Sequence, residues 1–254
     1  VKKFQEASWN AMSQRYQSET YISCQDFHYG PLLPGDSELH LLPELNGLRC
    51  LELACGGAQN SIFMAAHGAK CVASDIAEAQ LAYAERLAAE KNVRIELKKL
   101  SMENIPRELT EKFDLIHSVY GLPFAEHPDK VIAACAKLLV PGGLMLFSLP
   151  HPLYAGEYLH INGDAGMFIG SYFEIGPDIR YDDAGAECAR SNYFSVEQTT
   201  EWLSRSGLLI ERILEPRPSD DPPYTSVVWE EYREQFERFP GTIIFKAVKP
   251  LRGG

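Results

Sequence analysis

The spacing of apolar positions changes character near residue 48. From there on, short apolar runs alternate with stretches whose apolar residues recur every three to four positions. This is the pattern of strands covered by helices on both faces. The runs at 48–53, 70–74, 93–98, 113–119, 144–149, 208–214 and 242–248 are predicted as seven strands. Residues 59–67, 77–90 and 128–139 are predicted as the helices between the early ones, the last with Pro128 in its first turn and a stripe of Val131, Ile132, Cys135 and Leu138. Ser195-Val-Glu-Gln198 reads as a capping box opening a helix that ends at Gly207. Trp229, Tyr232, Phe236 and Phe239 form a further helical stripe.

The fold class this predicts is α/β: a doubly wound, mostly parallel seven-stranded sheet with helices on both faces. Two segments stand outside the alternation. Residues 1–46 precede the first strand and carry a partly helical pattern, which predicts an N-terminal lid. Residues 151–194 interrupt the alternation after the fifth strand; they hold eight aromatic residues, seven acids, two arginines and six glycines. A stretch of that length and composition predicts an inserted cap over a substrate. The expected organisation is a lid at 1–46, a ligand-binding core at 47–150, the cap at 151–194, and completion of the sheet at 195–254.

Composition narrows the classes. The 254 residues carry 24 basic and 35 acidic side chains, a net charge of −11, which is a poor match to a nucleic acid. No apolar run approaches the roughly 18 residues needed to span a bilayer. The opening Val1-Lys-Lys-Phe-Gln-Glu has no hydrophobic signal region behind its lysines. The six cysteines are scattered, with no C-x-x-C pair and no zinc-like spacing. These features predict a cytoplasmic protein acting on a small molecule, as monomer or homodimer, with no nucleic-acid or membrane partner.

The chemistry concentrates in Leu51-Glu-Leu-Ala-Cys-Gly-Gly-Ala58. A strand ends in an acid, turns through small residues and feeds a helix, so the backbone can approach a ligand closely. A second acid, Asp75, ends the next strand, where a doubly wound sheet grips a ribose through its hydroxyls.

Residues 48–149 resemble the catalytic core of class I, Rossmann-like S-adenosylmethionine (SAM)-dependent methyltransferases of the small-molecule type. In the family's first motif, acid-x-Gly-x-Gly-x-Gly, the acid is here Glu52 and the glycine places are Ala54, Gly56 and Ala58. Phe113-Asp-Leu-Ile-His-Ser118 matches its fourth strand, and Leu138-Leu-Val-Pro-Gly-Gly-Leu144 the approach to its fifth. Leu100-Ser-Met-Glu-Asn-Ile-Pro106 resembles the adenine-contacting segment, with Ser101 where an acid is common. The resemblance implies SAM as methyl donor and S-adenosylhomocysteine as product. It implies that Glu52 orients the amino-acid end, with Ala54, Cys55 and Gly56 lying against it. Asp75 would hold the ribose, Ile76 flank the adenine, and Ser101, Met102 and Glu103 border its edge. Gln80 would face the adenine, Ser118 and Val119 the methionine portion, and Tyr16, from the lid, the carboxylate.

Methyl transfer is an in-line displacement, so a base is needed only where the acceptor, O or N, must lose a proton. His151, at the carboxyl end of the fifth strand in Leu149-Pro-His-Pro152, is the first candidate, the other reading being a histidine packed in a Pro-fixed turn. Tyr120 is placed to line the methyl path. The aromatic and acidic residues of 151–194 suggest an acceptor with apolar rings carrying an amine, such as a natural-product scaffold. Three other readings stay open: a SAM-binding protein without transfer activity, a dinucleotide-dependent oxidoreductase, and a nucleic-acid amino-methyltransferase suggested by Asp221-Pro-Pro-Tyr224. The second lacks G-x-G-x-x-G, and the tetrapeptide of the third does not follow the fourth strand. His151, His160 and Asp164 lack metal-ligand spacing, so no metal is expected.

Overall fold

The computed structural model describes residues 2–174, 177–181, 185 and 187–251. Helices of at least eight residues are α1 (Lys2–Glu19), α2 (Gln59–Ala66), α3 (Glu78–Glu90), α4 (Pro128–Leu138) and α5 (Val196–Arg205). The strands of the central sheet are β1 (Arg49–Leu53), β2 (Lys70–Asp75), β3 (Glu96–Lys99), β4 (Phe113–Val119), β5 (Leu139–Pro150), β6 (Leu209–Leu214) and β7 (Thr242–Val248). They lie in the order β6-β7-β5-β4-β1-β2-β3, and β7 alone runs against the others. The order reverses direction at β1, so the carboxyl ends of β1 and β4 open the crevice in which such sheets bind ligands.

Alternation along each strand supplies two cores, one on each face of the sheet. Leu51, Leu53, Ile116, Phe147 and Phe245 pack with Val131, Ile132 and Leu138 of α4 and Leu203 of α5. Cys50, Leu115, Leu144, Leu146 and Ile244 face the other way, against Met64 of α2 and Phe27, Tyr29, Leu33, Leu41 and Leu45. The N-terminal stretch is therefore divided. Helix α1 lies over the mouth of the crevice, whereas residues 27–45 form part of the core, each large apolar side chain adding roughly 1.5–3 kcal/mol by burial.

Several boundaries differ from the expectation for local reasons. The third strand begins at Glu96 because Val93 N–H still closes α3, onto Ala88 O (3.0 Å), with Asn92 left-handed. The fifth begins at Leu139, since Gly142 and Gly143 pair with Lys249 beyond β7. The stripe from Trp229 to Phe239 is split into helices Val227–Glu230 and Arg233–Arg238, with Phe239 extended ahead of Pro240. The capping box at Ser195 and Gln198 has both of its hydrogen bonds, at 3.1 and 3.0 Å. The segment after β5 holds two antiparallel hairpins, Glu157–Ile161 with Asp164–Phe168 and Asp178–Tyr181 with Glu187–Ser191. Two of its acids, Asp182 and Asp183, lie outside the described residues. Among the described residues no helix is long and apolar enough to cross a membrane.

Candidate active site

A cavity of about 1950 Å³ opens above the carboxyl ends of the parallel strands. A single small ligand usually occupies roughly 300–1,000 Å³, so this volume has room for two molecules side by side. Its floor is the turn after β1. Ala54, Gly56 and Ala58 all have positive φ, at 52°, 53° and 56°. The two alanines thus adopt the left-handed backbone that glycine takes without strain, at a cost of about 1–2 kcal/mol each. Cys55 N–H donates to Ser74 O (2.9 Å), which ties the turn to β2. Gly121, from the turn after β4, packs under the same loop: a β-carbon there would stand 2.7 Å from Ala54 Cβ.

Both acids of the sheet edge line the cavity and are nearly inaccessible, Glu52 at 4% and Asp75 at 7% exposure. Glu52 Oε2 accepts from the Ser61 N–H (3.1 Å) and from Ser61 Oγ (2.5 Å). Asp75 Oδ2 accepts from Gly56 N–H (2.9 Å) and Oδ1 from Ala77 N–H (2.8 Å). Burial pushes the Glu52 carboxyl up to about 8, against the pull of Ser61, and the Asp75 charge adds to the rise. Burial also raises Asp75, despite its backbone donors. Two neighbouring carboxyls held up by desolvation fit a ligand that brings positive charge and hydroxyl donors, as SAM does with its ammonium, sulfonium and ribose. A pyrophosphate would instead meet two acids.

The structure brings most of the expected cofactor residues to this wall. Ile76, Gln80, Ser101, Met102, Glu103, Val119 and Tyr16 line the cavity with Ala54, Cys55 and Gly56. Ser101 Oγ donates to Glu103 Oε2 (2.5 Å), and Glu103 Oε1 takes the Glu126 N–H (2.9 Å). Gln80 Oε1 accepts from Gln17 Nε2 of α1 (2.8 Å). Asn10 of the same helix caps α3 by accepting the Ala79 N–H (2.9 Å). Ser118 is the exception. It is buried and absent from the lining, its hydroxyl donating to Leu53 O (3.0 Å), so it ties the ends of β4 and β1 together.

At the other end the walls are aromatic: Tyr120, Tyr154, Tyr193, Trp229 and Tyr232 all line the cavity. The Tyr154 ring lies 5.6 Å from Tyr232, 6.5 Å from Trp229 and 6.5 Å from Tyr193, and Tyr120 lies 6.4 Å from Trp229. Tyr120 has φ of 56°, an unusual conformation for a bulky residue, and its ring fills the space above Gly30, where a β-carbon would stand 2.7 Å from Tyr120 Cε2. Its hydroxyl is taken up by Thr242 Oγ1 (2.6 Å), and burial raises it. Tyr120 therefore offers its ring to the cavity.

The placement of His151 runs against a catalytic part. It caps the helical turn after β5 and does not line the cavity. Its Nδ1 accepts from Leu153 N–H (3.1 Å) and its Nε2 pairs with Glu215 Oε1 (2.7 Å), leaving neither nitrogen for a substrate. Burial lowers it, with Glu215 opposing. His160 lies 4.0 Å from Glu234, and Asp164 3.5 Å from Arg238. Tyr224 of the Asp-Pro-Pro-Tyr stretch reaches the cavity from a short strand paired with Thr20–Ile22, not from the end of β4.

Other lining residues were not singled out from sequence: Trp9, Met12 and Gln5 of α1, and Tyr193. Gln5, Trp9, Met12 and Tyr16 recur at steps of four, three and four, the spacing of one helix face, so that face was there to be read.

Residues 50–143 match the family described as methyltransferase domain. The ubiquinone biosynthesis O-methyltransferase of Pseudomonas syringae pv. tomato is 35% identical over 104 residues, 41% of this chain and 45% of that protein. The chain thus aligns with less than half the length of that curated relative. The crystal structure of an S-adenosylmethionine dependent methyltransferase from Mesorhizobium loti is 25% identical, with a TM-score of 0.67, covering 83% of this chain and 94% of that one. That of magnesium protoporphyrin IX methyltransferase from Synechocystis PCC 6803 with bound SAH shares the fold at 18% identity, TM-score 0.53, covering 81% of this chain and 75% of the other.

Proposed function

Since the chain belongs to the class I, Rossmann-like SAM-dependent methyltransferases, we propose that it transfers a methyl group from SAM to a hydroxyl oxygen on an aromatic small molecule. The observation that carries this is the single cavity joining the Glu52 and Asp75 wall to the aromatic chamber of Tyr120, Tyr154, Tyr193, Trp229 and Tyr232. A flat apolar ring gains from such walls by area burial and by edge and face contacts worth about 0.5–1.5 kcal/mol per pair. The oxygen acceptor follows the curated relatives, which are named O-methyltransferases. The amine expected from the acids of the cap has weaker support, because Asp178 already pairs with Arg180 (3.1 Å) and Glu187 with Arg190 (2.7 Å).

SAM, when bound, supplies a methyl carbon activated by its sulfonium. The chain's part is positioning and exclusion of water. Glu52, oriented by Ser61, and Asp75, oriented by two backbone N–H groups, would hold the donor's amino-acid and ribose ends. Helix α1, pinned through Gln17 and Asn10, would close over it. The aromatic chamber would hold the acceptor ring with its hydroxyl toward the turn after β4.

Calorimetry with SAM and S-adenosylhomocysteine, followed by transfer of labelled methyl to a panel of phenols and catechols, tests this. Binding of both ligands with methylated phenol as product is the expected result. Binding without transfer to any acceptor would favour a SAM-binding protein without this chemistry. No binding by the folded protein would remove the proposal altogether.

A further inference from the structure

Among the polar side chains that line the cavity, two groups bear on the reaction. Glu52 and Asp75 make one. The second lies where three segments meet: Tyr16 of α1, His28 of the loop before β1, and Tyr224 of the short C-terminal strand, all lining the cavity. The Tyr16 and Tyr224 hydroxyls hydrogen-bond each other at 2.7 Å. The Tyr224 ring meets the His28 imidazole edge-on, with centroids 5.1 Å apart and planes at 88°.

His28 is held firmly by its backbone. Asn60 Oδ1 accepts the His28 N–H (2.9 Å), and Asn60 Nδ2 donates to the His28 carbonyl (3.0 Å). The next residue of α2, Ser61, makes both hydrogen bonds to Glu52. One turn of one helix thus sets the positions of His28 and of the acid at the donor end.

The imidazole itself makes no hydrogen bond to the described residues. The residue is 7% exposed, its Nδ1 is buried with no hydrogen bond, and its Nε2 is bonded by nothing among the described residues. A buried polar ring without partners is costly unless a ligand completes it. We propose that the His28 imidazole contacts the acceptor and takes the proton from its hydroxyl during methyl transfer, an inference that rests on the O-methylation reading above.

The balance is simple. An oxygen–carbon bond forms, the carbon–sulfur bond of the donor breaks with its electron pair left on sulfur, and the hydroxyl proton passes to His28. One positive charge leaves sulfur and one appears on the imidazole, so the cavity's net charge is unchanged. Burial lowers His28 to about 3, so the ring is neutral with a lone pair to offer, while the same burial opposes the imidazolium that forms. This is the part expected of His151, whose nitrogens are both engaged elsewhere.

The test pairs a phenol that must lose its proton with one already ionised near neutrality, catechol and 4-nitrocatechol, in wild-type protein, His28→Gln and His28→Asn. S-adenosylhomocysteine affinity, by calorimetry, reports folding of the cofactor end and should stay within about twofold. Loss of a general base typically costs about 10²- to 10⁴-fold. The variants should lose kcat in that range on catechol, and less than about tenfold on 4-nitrocatechol. A readout without turnover is the absorbance titration of 4-nitrocatechol bound with S-adenosylhomocysteine. Its ionisation should shift up by about one to two pH units in His28→Gln, as a buried phenolate loses its partner. Equal losses on both acceptors together with an unmoved titration would overturn the assignment of His28 while leaving O-methylation intact. Failure of wild-type protein to methylate either acceptor, with no shift in the titration, would overturn both.

Discussion

The end of the cavity proposed to hold the cofactor and the end proposed to hold the acceptor are made from different materials. At the cofactor end the ligand wall is mostly backbone: the left-handed turn at 54–58, tied to β2 through Cys55, and two carboxyls held by N–H groups and Ser61. These parts are close in sequence and sit at the ends of neighbouring strands. The acceptor end is side chain, and its rings come from Tyr120, Tyr154, Tyr193, Trp229 and Tyr232, spread over more than a hundred residues. Backbone geometry suits a constant ligand and resists substitution. Rings projecting from loops and hairpins change one at a time, so the same floor can serve different acceptors.

If the two ends are separable, substitutions should divide along the same line. The largest effect is expected at Asp75. Replacing it with Asn keeps its shape but removes the charge, and loss of charge-assisted hydrogen bonds of about 1.5–3 kcal/mol should weaken SAM binding by roughly 10- to 100-fold. Acceptor affinity measured with S-adenosylhomocysteine at saturation should change little. A matching loss of acceptor affinity would erase the distinction.

The pH dependence should also belong to the cofactor end. With Glu52 raised from its ordinary 4.5 to about 8, the ligand-free protein holds a proton that the unfolded chain loses. Its contribution to stability is therefore present at low pH and declines as pH rises from about 4.5 towards 8. A cationic ligand prefers the ionised carboxyl, so SAM affinity should rise with pH, by up to about tenfold per unit below 8, and level off above it. Calorimetry in buffers of different ionisation enthalpy should show proton release near pH 7. Its absence would show that Glu52 does not touch the cation.

At the acceptor end, Trp229→Ala should raise the acceptor KM by about tenfold or more, through loss of roughly 1.5–3 kcal/mol of ring contact, with SAM affinity unchanged. A change confined to SAM affinity would place the tryptophan on the wrong side of the comparison. The smallest effect is expected from Ala54→Gly. Relief of about 1–2 kcal/mol of left-handed strain against roughly 0.4–1 kcal/mol of added chain entropy leaves about 0.5–1 kcal/mol of stabilisation, read from a denaturant midpoint. Destabilisation would show that contacts of the Ala54 methyl outweigh the strain.

Legibility in the sequence follows the same division. Glu52 and Asp75 could be read because an acid at the end of an apolar run stays at a strand end whatever the rest of the chain does. The alanines at 54 and 58 departed from the glycine pattern, yet the backbone there keeps the left-handed conformation that glycines would take. The hairpin around Asn162-Gly163 was also written locally, as an Asn-Gly turn with φ of 53° and 83° between paired strands, and was missed amid the aromatic and acidic residues around it. His151 could not be judged from its neighbours. Its position after β5 suggested a ligand contact, and only Glu215, 64 residues away, shows that its Nε2 is occupied. His28 is the opposite case: it falls in the stretch 1–46 that predicts a lid, and its contacts with Asn60 and Tyr224 place it at the cavity wall.

The order of strands and helices along the chain, the seven-stranded sheet and the acids that edge it are all legible without tertiary contacts. Those depend on periodicity and on residues within one strand–turn–helix unit, where chain connectivity leaves few alternatives. Which of the many tyrosines, histidines and tryptophans share one cavity, and that His28 rather than His151 lines it, comes from tertiary packing. Those contacts join segments whose separation along the chain carries no periodic signal, and they exist only once both faces of the sheet are buried.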